Sequence, residues 1–286
     1  GSVSNALTRF TELYELYLRD SKVHFALVPD KSYYLAEEAG VLAIDYDALY
    51  ARMAEELPWA ELIDLRGFLD IEDYYRTDTH WRQERILDAA GKLCEALGAD
   101  AFAEGELTLK PVERPFYGVY YGQAALPMEP DAMYYLTNPV LEKCTVKCHD
   151  NGAVTRILDK TKLGSKDLYD VFLSGSAALL TIENPNASTN RELVVFRDSF
   201  GSSIVPLLLK DYRTVTVVDI RYMSSALLDQ YVDFTGADVL FLGKLFHHLA
   251  DLSADGRHKG MVEALIQSKS DVGFVLQQLL IGGKVD

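Results

Sequence analysis

Ser199 is the first residue whose type and setting suggest chemistry. It follows an apolar run at 193–196 and precedes apolar residues with helical spacing at 204–210. The run predicts a buried strand, and the Asp198-Ser199 pair predicts a turn from that strand into a helix. A serine at such a turn presents its hydroxyl at the edge of the sheet, near free N–H groups that can hold an anion.

His80 and Asp78 lie far upstream of Ser199, in one short segment with the order Asp-x-His. A serine hydroxyl is a weak nucleophile until a base takes its proton, and a carboxylate helps by fixing the tautomer of that base. Ser199, His80 and Asp78 supply these three parts. The sequence therefore predicts a Ser-His-Asp catalytic triad.

Each of these residues also has a purely structural interpretation. Asp198 or Ser199 could only cap the following helix, and Asp78 could cap a helix that begins near Trp81. His80 could be a structural histidine that bonds to the backbone. The sequence leaves these alternatives open.

The elements that must position these residues follow from hydrophobic periodicity. Strands are predicted at 23–29, 61–65, 178–182, 193–196, 214–220 and 239–242, and helices at 6–18, 33–39, 46–57, 81–97, 201–210, 224–232 and 261–280. Strands that alternate with helices indicate an α/β fold, a three-layer parallel sheet flanked by helices. Ser199 and His80 then follow strand ends, where ligands bind in open α/β sheets.

Residues 107–161 have a different pattern, with short apolar runs broken by Pro, Gly and Asn. We interpret them as a β-rich insertion or lid within a single domain that spans residues 1–286. Tyrosines crowd this segment, and they either pack its own small core or line a cleft. Tyr121 is the one that we select as a candidate substrate-binding residue.

Four further residues are candidates for substrate binding or an oxyanion hole. Gly175 and Ser176 lie in a loop that could point backbone N–H groups at a ligand. Arg221 follows a predicted strand and could bind a substrate anion, although a structural salt bridge is an equal alternative. Trp81 is a candidate because it adjoins His80.

Composition excludes several partner classes. The 286 residues carry a net charge of −15, and such a surface should repel nucleic acid and anionic lipid. No apolar run is long enough for a transmembrane helix, so we expect no stable membrane insertion. The 17 tyrosines fit a polar groove such as a carbohydrate site, and equally fit ordinary packing.

We expect neither a cofactor nor a metal. Cys144 and Cys148 could form one bridge or remain free, and their spacing with His149 matches no zinc pattern. His247-His248 together with Asp198 is a weaker metal hypothesis.

The segments around these residues resemble the DHHW proteins of bacteria. Residues 75–81 match the signature, with Thr79 in place of its first histidine, and 196–203 match the second block. Residues 28–32 and 218–222 resemble further blocks. DHHW proteins are similar to the SGNH hydrolase superfamily and to proteins that O-acetylate alginate. The resemblance implies an SGNH- or flavodoxin-like fold.

For the candidate site, the resemblance implies that Ser199 is the nucleophile, His80 the base and Asp78 the residue that orients it. Arg197 stands where SGNH enzymes usually have glycine.

Two functions follow as hypotheses. The first is a serine esterase or O-acyltransferase, with acetyl as the expected group, acting on cell-surface or extracellular carbohydrate or on an acylated small molecule. The second is a non-catalytic polysaccharide-binding protein on the same scaffold. Either would place the protein outside the cytoplasm, with a native signal or anchor absent from this sequence.

Overall fold

The structure, a computed structural model, describes residues 2–103, 105–124, 128–219, 221–223 and 225–244. The helix predicted at 261–280 and the His247-His248 pair lie outside these residues. The α-helices are α1 Ser2–Leu13, α2 Lys31–Ala39, α3 Tyr46–Glu56, α4 Leu87–Leu97, α5 Val119–Ala124 and α6 Gly201–Ile204. The strands are β1 Val23–Leu27, β2 Ala60–Asp64, β3 Thr108–Phe116, β4 Asp131–Thr137, β5 Thr145–Cys148, β6 Val154–Thr155, β7 Leu179–Glu183, β8 Arg191–Arg197, β9 Tyr212–Asp219 and β10 Asp238–Gly243.

A large sheet has the strand order β2-β1-β10-β8-β9-β7-β5-β6. The first five strands of this order are mutually parallel, as the alternation of strands and helices predicts. The remaining three extend the sheet in antiparallel fashion. The carboxyl ends of β1, β10 and β8 therefore lie side by side at one edge.

The centre of this sheet is covered on both faces. Phe25, Phe241 and Phe196 lie in register on β1, β10 and β8, and their rings stack at centroid distances of 5.2 and 4.6 Å. They pack with residues of α1 and α3, including Phe10 and Met53. Each such buried side chain contributes about 1.5–3 kcal/mol. The opposite face is covered by α4 and by the 3-10 helix that follows α6.

Two predicted helices begin or continue differently from the prediction. The helix predicted at 81–97 begins at Leu87, because Trp81 instead forms a β-bridge with Tyr74. The helix predicted at 201–210 is α-helical only over α6 and continues as a 3-10 helix at Val205–Leu208. Pro206 lacks the N–H that an α-helix would need at that position.

The β-rich segment 107–161 contributes strands to two sheets. β3 and β4 form a separate antiparallel pair, whereas β5 and β6 join the edge of the large sheet. The β3–β4 pair packs through Phe116 and Met133 against Tyr75 and the 3-10 helix Leu168–Val171. It is thus in contact with the segment that carries His80.

Other sequence expectations concern cysteines, metals and membranes. All three cysteines are free thiols, so Cys144 and Cys148 form no bridge. Within the described ranges, no three His, Cys, Asp or Glu side chains cluster in a way that could hold a metal ion. Among the helices that the structure describes, none combines the length and apolar character that a membrane span requires.

Candidate active site

Ser199, His80 and Asp78 form a continuous hydrogen-bonded chain at the carboxyl edge of the sheet. The Ser199 Oγ lies 2.7 Å from His80 Nε2, and His80 Nδ1 lies 2.5 Å from Asp78 Oδ1. His80 and Asp78 are buried, whereas Ser199 is partly exposed. An ionised carboxylate can only accept hydrogen bonds, so the Nδ1 proton belongs to the imidazole. Nε2 is then free to accept the Ser199 proton.

A short hairpin-like loop brings His80 and Asp78 together. The Tyr75 N–H donates to the His80 carbonyl at 3.0 Å, next to the bridge between Tyr74 and Trp81. The Lys31 ammonium is buried inside this loop and donates to the carbonyls of Tyr75 and Asp78. Burial lowers the pKa of Lys31 to about 8. Lys31 thus acts as an internal cation around which the loop folds.

The Asp78 carboxylate is held by three donors. Its Oδ1 accepts the backbone N–H of His80 at 2.9 Å in addition to His80 Nδ1, and its Oδ2 accepts the Val119 N–H at 2.9 Å. Burial alone would raise the pKa of Asp78, but the attraction and hydrogen bonds of His80 outweigh it and lower the pKa to about 2. Asp78 is therefore ionised at neutral pH and fixes the imidazole.

Gly118 lets α5 approach Asp78 closely enough to donate that N–H. A Cβ at this position would lie 2.5 Å from both Asp78 Oδ2 and the Thr77 carbonyl. The Gly118 N–H itself donates to Thr77 Oγ1 at 3.0 Å. Only a residue without a side chain fits between α5 and the Asp-x-His loop.

We expect Gly118→Ala to lower the rate at which a sulfonyl fluoride modifies Ser199 about 100-fold, because α5 must retreat and Asp78 loses its third donor. Intact-mass kinetics, with circular dichroism to check folding, measure this. Gly122→Ala is the matched control, since a Cβ there meets no atom within 4 Å. Equal rates of modification in the two variants would contradict the role given to Gly118.

The turn that carries Ser199 is anchored by Asp198. Its Oδ1 accepts the Phe200 N–H at 2.9 Å, and its Oδ2 accepts the Lys244 N–H at 2.8 Å. Asp198 thus holds the turn, whereas α6 begins after Phe200 with no side-chain cap. This leaves the Ser199 hydroxyl to bond to His80.

Lys244, just after β10, links three strand ends. Its Nζ donates to Asp30 Oδ2 at 2.6 Å and to Thr79 Oγ1 at 2.8 Å. Burial lowers the pKa of Lys244, but the attraction of Asp30 outweighs it and the net pKa is raised. Thr79 replaces the first histidine of the DHHW signature, and its hydroxyl takes part in this link.

Arg197, Asp219 and Arg221 form a charged cluster beside the Ser199 turn. The fully buried Arg197 donates to Asp219 Oδ2 at 3.3 Å and to the Gly175 carbonyl at 3.3 Å. Burial lowers its pKa, against the attraction of Asp219. Arg221 donates to both Asp219 oxygens, at 2.9 and 2.7 Å. The structural salt bridge considered for Arg221 is therefore present, and anion binding by it stays a prediction.

The other candidate residues differ in exposure and in hydrogen bonding. The Gly175 N–H donates to the Phe172 carbonyl at 3.1 Å, so an oxyanion there would have to displace that bond. Ser176 and Tyr121 are exposed. Trp81 is fully buried and its indole N–H donates inward, so it presents no exposed face to a ligand, and its contact with substrate stays a prediction. In the structure, the Trp81 ring packs in the hydrophobic core.

Sequence reasoning missed Lys31, Gly118 and Lys244. Lys31 lies in the segment 28–32 that resembles a family block, which was the one available signal. Gly118 and Lys244 carry no local signal, because their partners are 41 and 165 residues away in the chain.

Comparison with known proteins agrees with this architecture. A family model described as DHHW protein matches residues 42–218. A DHHW family protein from Eubacterium siraeum DSM 15702 is 22% identical, with a TM-score of 0.71 over 92% of this chain and 89% of that chain. Bacillus cereus PatB1, solved with a sulfonyl adduct, is 19% identical, with a TM-score of 0.67 over 89% and 90% of the two chains. These likenesses confirm the predicted α/β fold class.

Two further comparisons complete the findings. The O-acetyltransferase domain of Pseudomonas putida AlgJ is 14% identical, with a TM-score of 0.49 over 93% of this chain and 90% of that chain. No curated protein matches the chain.

Proposed function

This chain belongs to the DHHW protein family, and from that premise we propose that it is a serine-dependent esterase or O-acyltransferase. The observation that carries the proposal is the 2.7 Å contact between Ser199 Oγ and His80 Nε2. A general base must lie within about 2.6–3.2 Å of the atom that carries the proton to be abstracted. PatB1, which shares the fold, was solved with a sulfonyl adduct. Sulfonylation is a reaction typical of activated serines, which supports the same assignment.

In the first half-reaction, His80 Nε2 accepts the Ser199 proton while Ser199 Oγ attacks the acyl carbonyl carbon. Asp78 keeps the Nδ1 proton in place and stabilises the imidazolium that forms. The backbone N–H of Ser199 is our proposed oxyanion donor, since the N–H groups of Phe200 and Gly201 already bond to Asp198. The imidazolium then gives its proton to the departing alkoxide, and an acyl-serine remains.

In the second half-reaction, His80 takes a proton from the acceptor hydroxyl, which attacks the acyl-serine. If the acceptor is water, the protein is an esterase. If it is a sugar hydroxyl, the protein is an acyltransferase. Either way Ser199 is released with its proton restored from His80.

We propose that the acyl group is acetyl and that the substrate is an extracellular or cell-surface carbohydrate. The resemblance of the Asp78–His80 and Asp198-Ser199 segments to proteins that O-acetylate alginate favours both. The strongly acidic composition, with a net charge of −15, fits a carbohydrate better than a nucleic acid or an anionic membrane.

The experiment that tests this proposal follows acetate release from para-nitrophenyl acetate by the folded protein, with and without an oligosaccharide acceptor. Release without acceptor indicates an esterase, and acetylated oligosaccharide detected by mass spectrometry indicates a transferase. Turnover no faster than that of heat-inactivated protein, with every acceptor tried, would contradict the proposal.

A non-catalytic polysaccharide-binding role has its own supporting observation. Tyr117 precedes α5 and Tyr121 lies within it, and the two side chains are 44% and 37% exposed. Their rings lie 4.6 Å apart. Exposed aromatic rings of this kind suit the apolar faces of sugars.

Tyr121→Ala is expected to weaken oligosaccharide binding about tenfold, because one aromatic contact contributes roughly 0.5–1.5 kcal/mol beyond its buried area. Calorimetric titration measures this, with Tyr231→Ala, a second exposed tyrosine, as control. Unchanged affinity in the Tyr121 variant would remove this surface from the binding site. Binding that persists without any ester turnover would favour the non-catalytic role.

A further inference from the structure

The Tyr169 ring lies closer to the His80 imidazole than the Phe200 ring does, whose centroid is 4.8 Å away. The Tyr169 ring lies flat against the imidazole, with a centroid distance of 4.0 Å and an angle of 12° between the planes. Tyr169 lies in the 3-10 helix Leu168–Val171, about 90 residues after His80 in the chain, and is 3% exposed. Neither the sequence motifs nor the triad chemistry assigns it a role.

The Tyr169 hydroxyl is held by a buried polar network. It lies 2.7 Å from Ser203 Oγ, which also accepts the Trp81 indole N–H at 2.9 Å. The same indole N–H lies 3.2 Å from the Phe200 carbonyl. Ser203 and Trp81 are both fully buried. Each polar atom named here has a partner, as a buried network requires.

This network joins segments that are far apart in the chain. Ser203 lies one helical turn after Ser199, and Trp81 directly follows His80. A single serine hydroxyl therefore ties the nucleophile segment, the base segment and the Tyr169 ring together. Burial raises the pKa of Tyr169, against the lowering effect of its bond to Ser203, so its hydroxyl keeps its proton.

A flat ring against an imidazole restricts rotation of that imidazole about its Cβ–Cγ bond. If His80 turned, Nε2 would leave the Ser199 Oγ, and Nδ1 would leave Asp78. The electron-rich face of a tyrosine also attracts the positive charge that His80 carries after taking the serine proton. The restricted rotation and the attraction of the positive charge both favour proton transfer, and neither involves substrate binding.

We propose that Tyr169 is a positioning residue for His80, held in place by Ser203 and Trp81. This inference rests on the proposed function, because it assigns Tyr169 a role in proton transfer from Ser199. Tyr169 contacts the base and not the substrate.

Three variants separate the ring from its hydroxyl. Tyr169→Leu removes the stacked ring, Tyr169→Phe keeps the ring and removes the hydroxyl, and Ser203→Ala removes the hydrogen-bond centre. We expect Tyr169→Leu to lower kcat about 100-fold, the loss typical of a displaced catalytic group, with KM changed less than about twofold. Tyr169→Phe should recover most of that loss.

Ser203→Ala and Tyr169→Phe should lower kcat by similar small factors. Their double variant should be no worse than either one, since both remove the same link. If Tyr169→Leu does not fold, the comparison of the double variant with the two single variants still tests the inference. Losses of kcat that add in the double variant would overturn it. In folded Tyr169→Leu, a wild-type kcat or a loss confined to KM would also overturn it.

The rate at which a sulfonyl fluoride modifies Ser199 separates this inference from the proposed function. No modification of the wild-type protein contradicts the proposed function itself. Modification of wild type and of Tyr169→Leu at equal rates leaves the proposed function standing and removes the role of Tyr169. Slower modification of Tyr169→Leu, restored in Tyr169→Phe, supports the positioning role.

Discussion

Replacing Ser199 with alanine is expected to lower kcat/KM for an acetate ester by about 10⁴-fold or more, the scale seen when the nucleophile of a serine triad is removed. The reason is that alanine has no oxygen to form the acyl-enzyme, so both half-reactions are lost together. The variant keeps only the groups that would stabilise the oxyanion. Steady-state kinetics measure the loss, and circular dichroism checks that the variant is folded.

Ser202→Ala is the matched control for this prediction. Ser202 lies in the same turn and is buried, but His80 bonds to Ser199. This control should keep kcat within about threefold of wild type, because it removes one small side-chain oxygen and leaves the contact between Ser199 and His80 in place. An Ser199→Ala variant that turns over at the wild-type rate would show that the hydroxyl is not the nucleophile.

Asp78→Asn is expected to lower kcat about 10⁴-fold, as the corresponding change does in other serine triads. An asparagine amide can donate to Nδ1, which would leave the imidazole proton on Nε2, facing Ser199. His80 then cannot accept the serine proton. Pre-steady-state kinetics should show the loss in the acylation step, with Asp88→Asn, an exposed carboxylate at the start of α4, as control.

The same variant has a second, pH-dependent consequence. The pKa of Asp78 is lowered from 3.8 to about 2, so its ionised form stabilises the folded protein above 3.8. This stabilisation, on the order of 2 kcal/mol, is lost as the pH falls through about 2. The difference in unfolding free energy between wild type and Asp78→Asn should therefore shrink across that window. A difference that stays constant from pH 5 to pH 2 would contradict the ionised state assigned to Asp78.

The partnership of Ser199, His80 and Asp78 was accessible from the sequence for a definite reason. Both segments follow apolar runs that predict strands, and parallel strands bring their carboxyl ends to one edge. The types of residue at that edge then indicate the chemistry of a serine triad. The same reasoning predicted a parallel sheet, because burial on both faces produces continuous apolar runs. Five of the six predicted strands are parallel, whereas the strand predicted at 178–182 is β7, which pairs with β9 in antiparallel fashion.

The residues that hold the triad in place were not accessible in this way. Lys31 and Lys244 are lysines in polar strand exits, where the sequence alone indicates exposure. The burial of Lys31 and the partial burial of Lys244 depend on carbonyl, carboxylate and hydroxyl partners that only the folded chain brings near. Gly118 is similar, since nothing around it shows that Asp78 occupies the space of its missing side chain.

Trp81 is another residue whose surroundings the sequence did not indicate. From the sequence alone, an aromatic residue directly after the base fits a substrate-binding surface as well as it fits a buried ring. The structure instead uses its indole N–H inside the protein, 2.9 Å from Ser203 Oγ. A buried tryptophan needs such a partner, and that requirement decided its orientation.

The most direct measurement of the central claim is covalent modification of the folded protein by phenylmethylsulfonyl fluoride, read by intact mass and peptide mapping. An activated serine should take up one sulfonyl group, located at Ser199, and the His80→Ala variant should take up none in the same time. Modification at another residue, or equal modification of both proteins, would show that His80 does not activate Ser199.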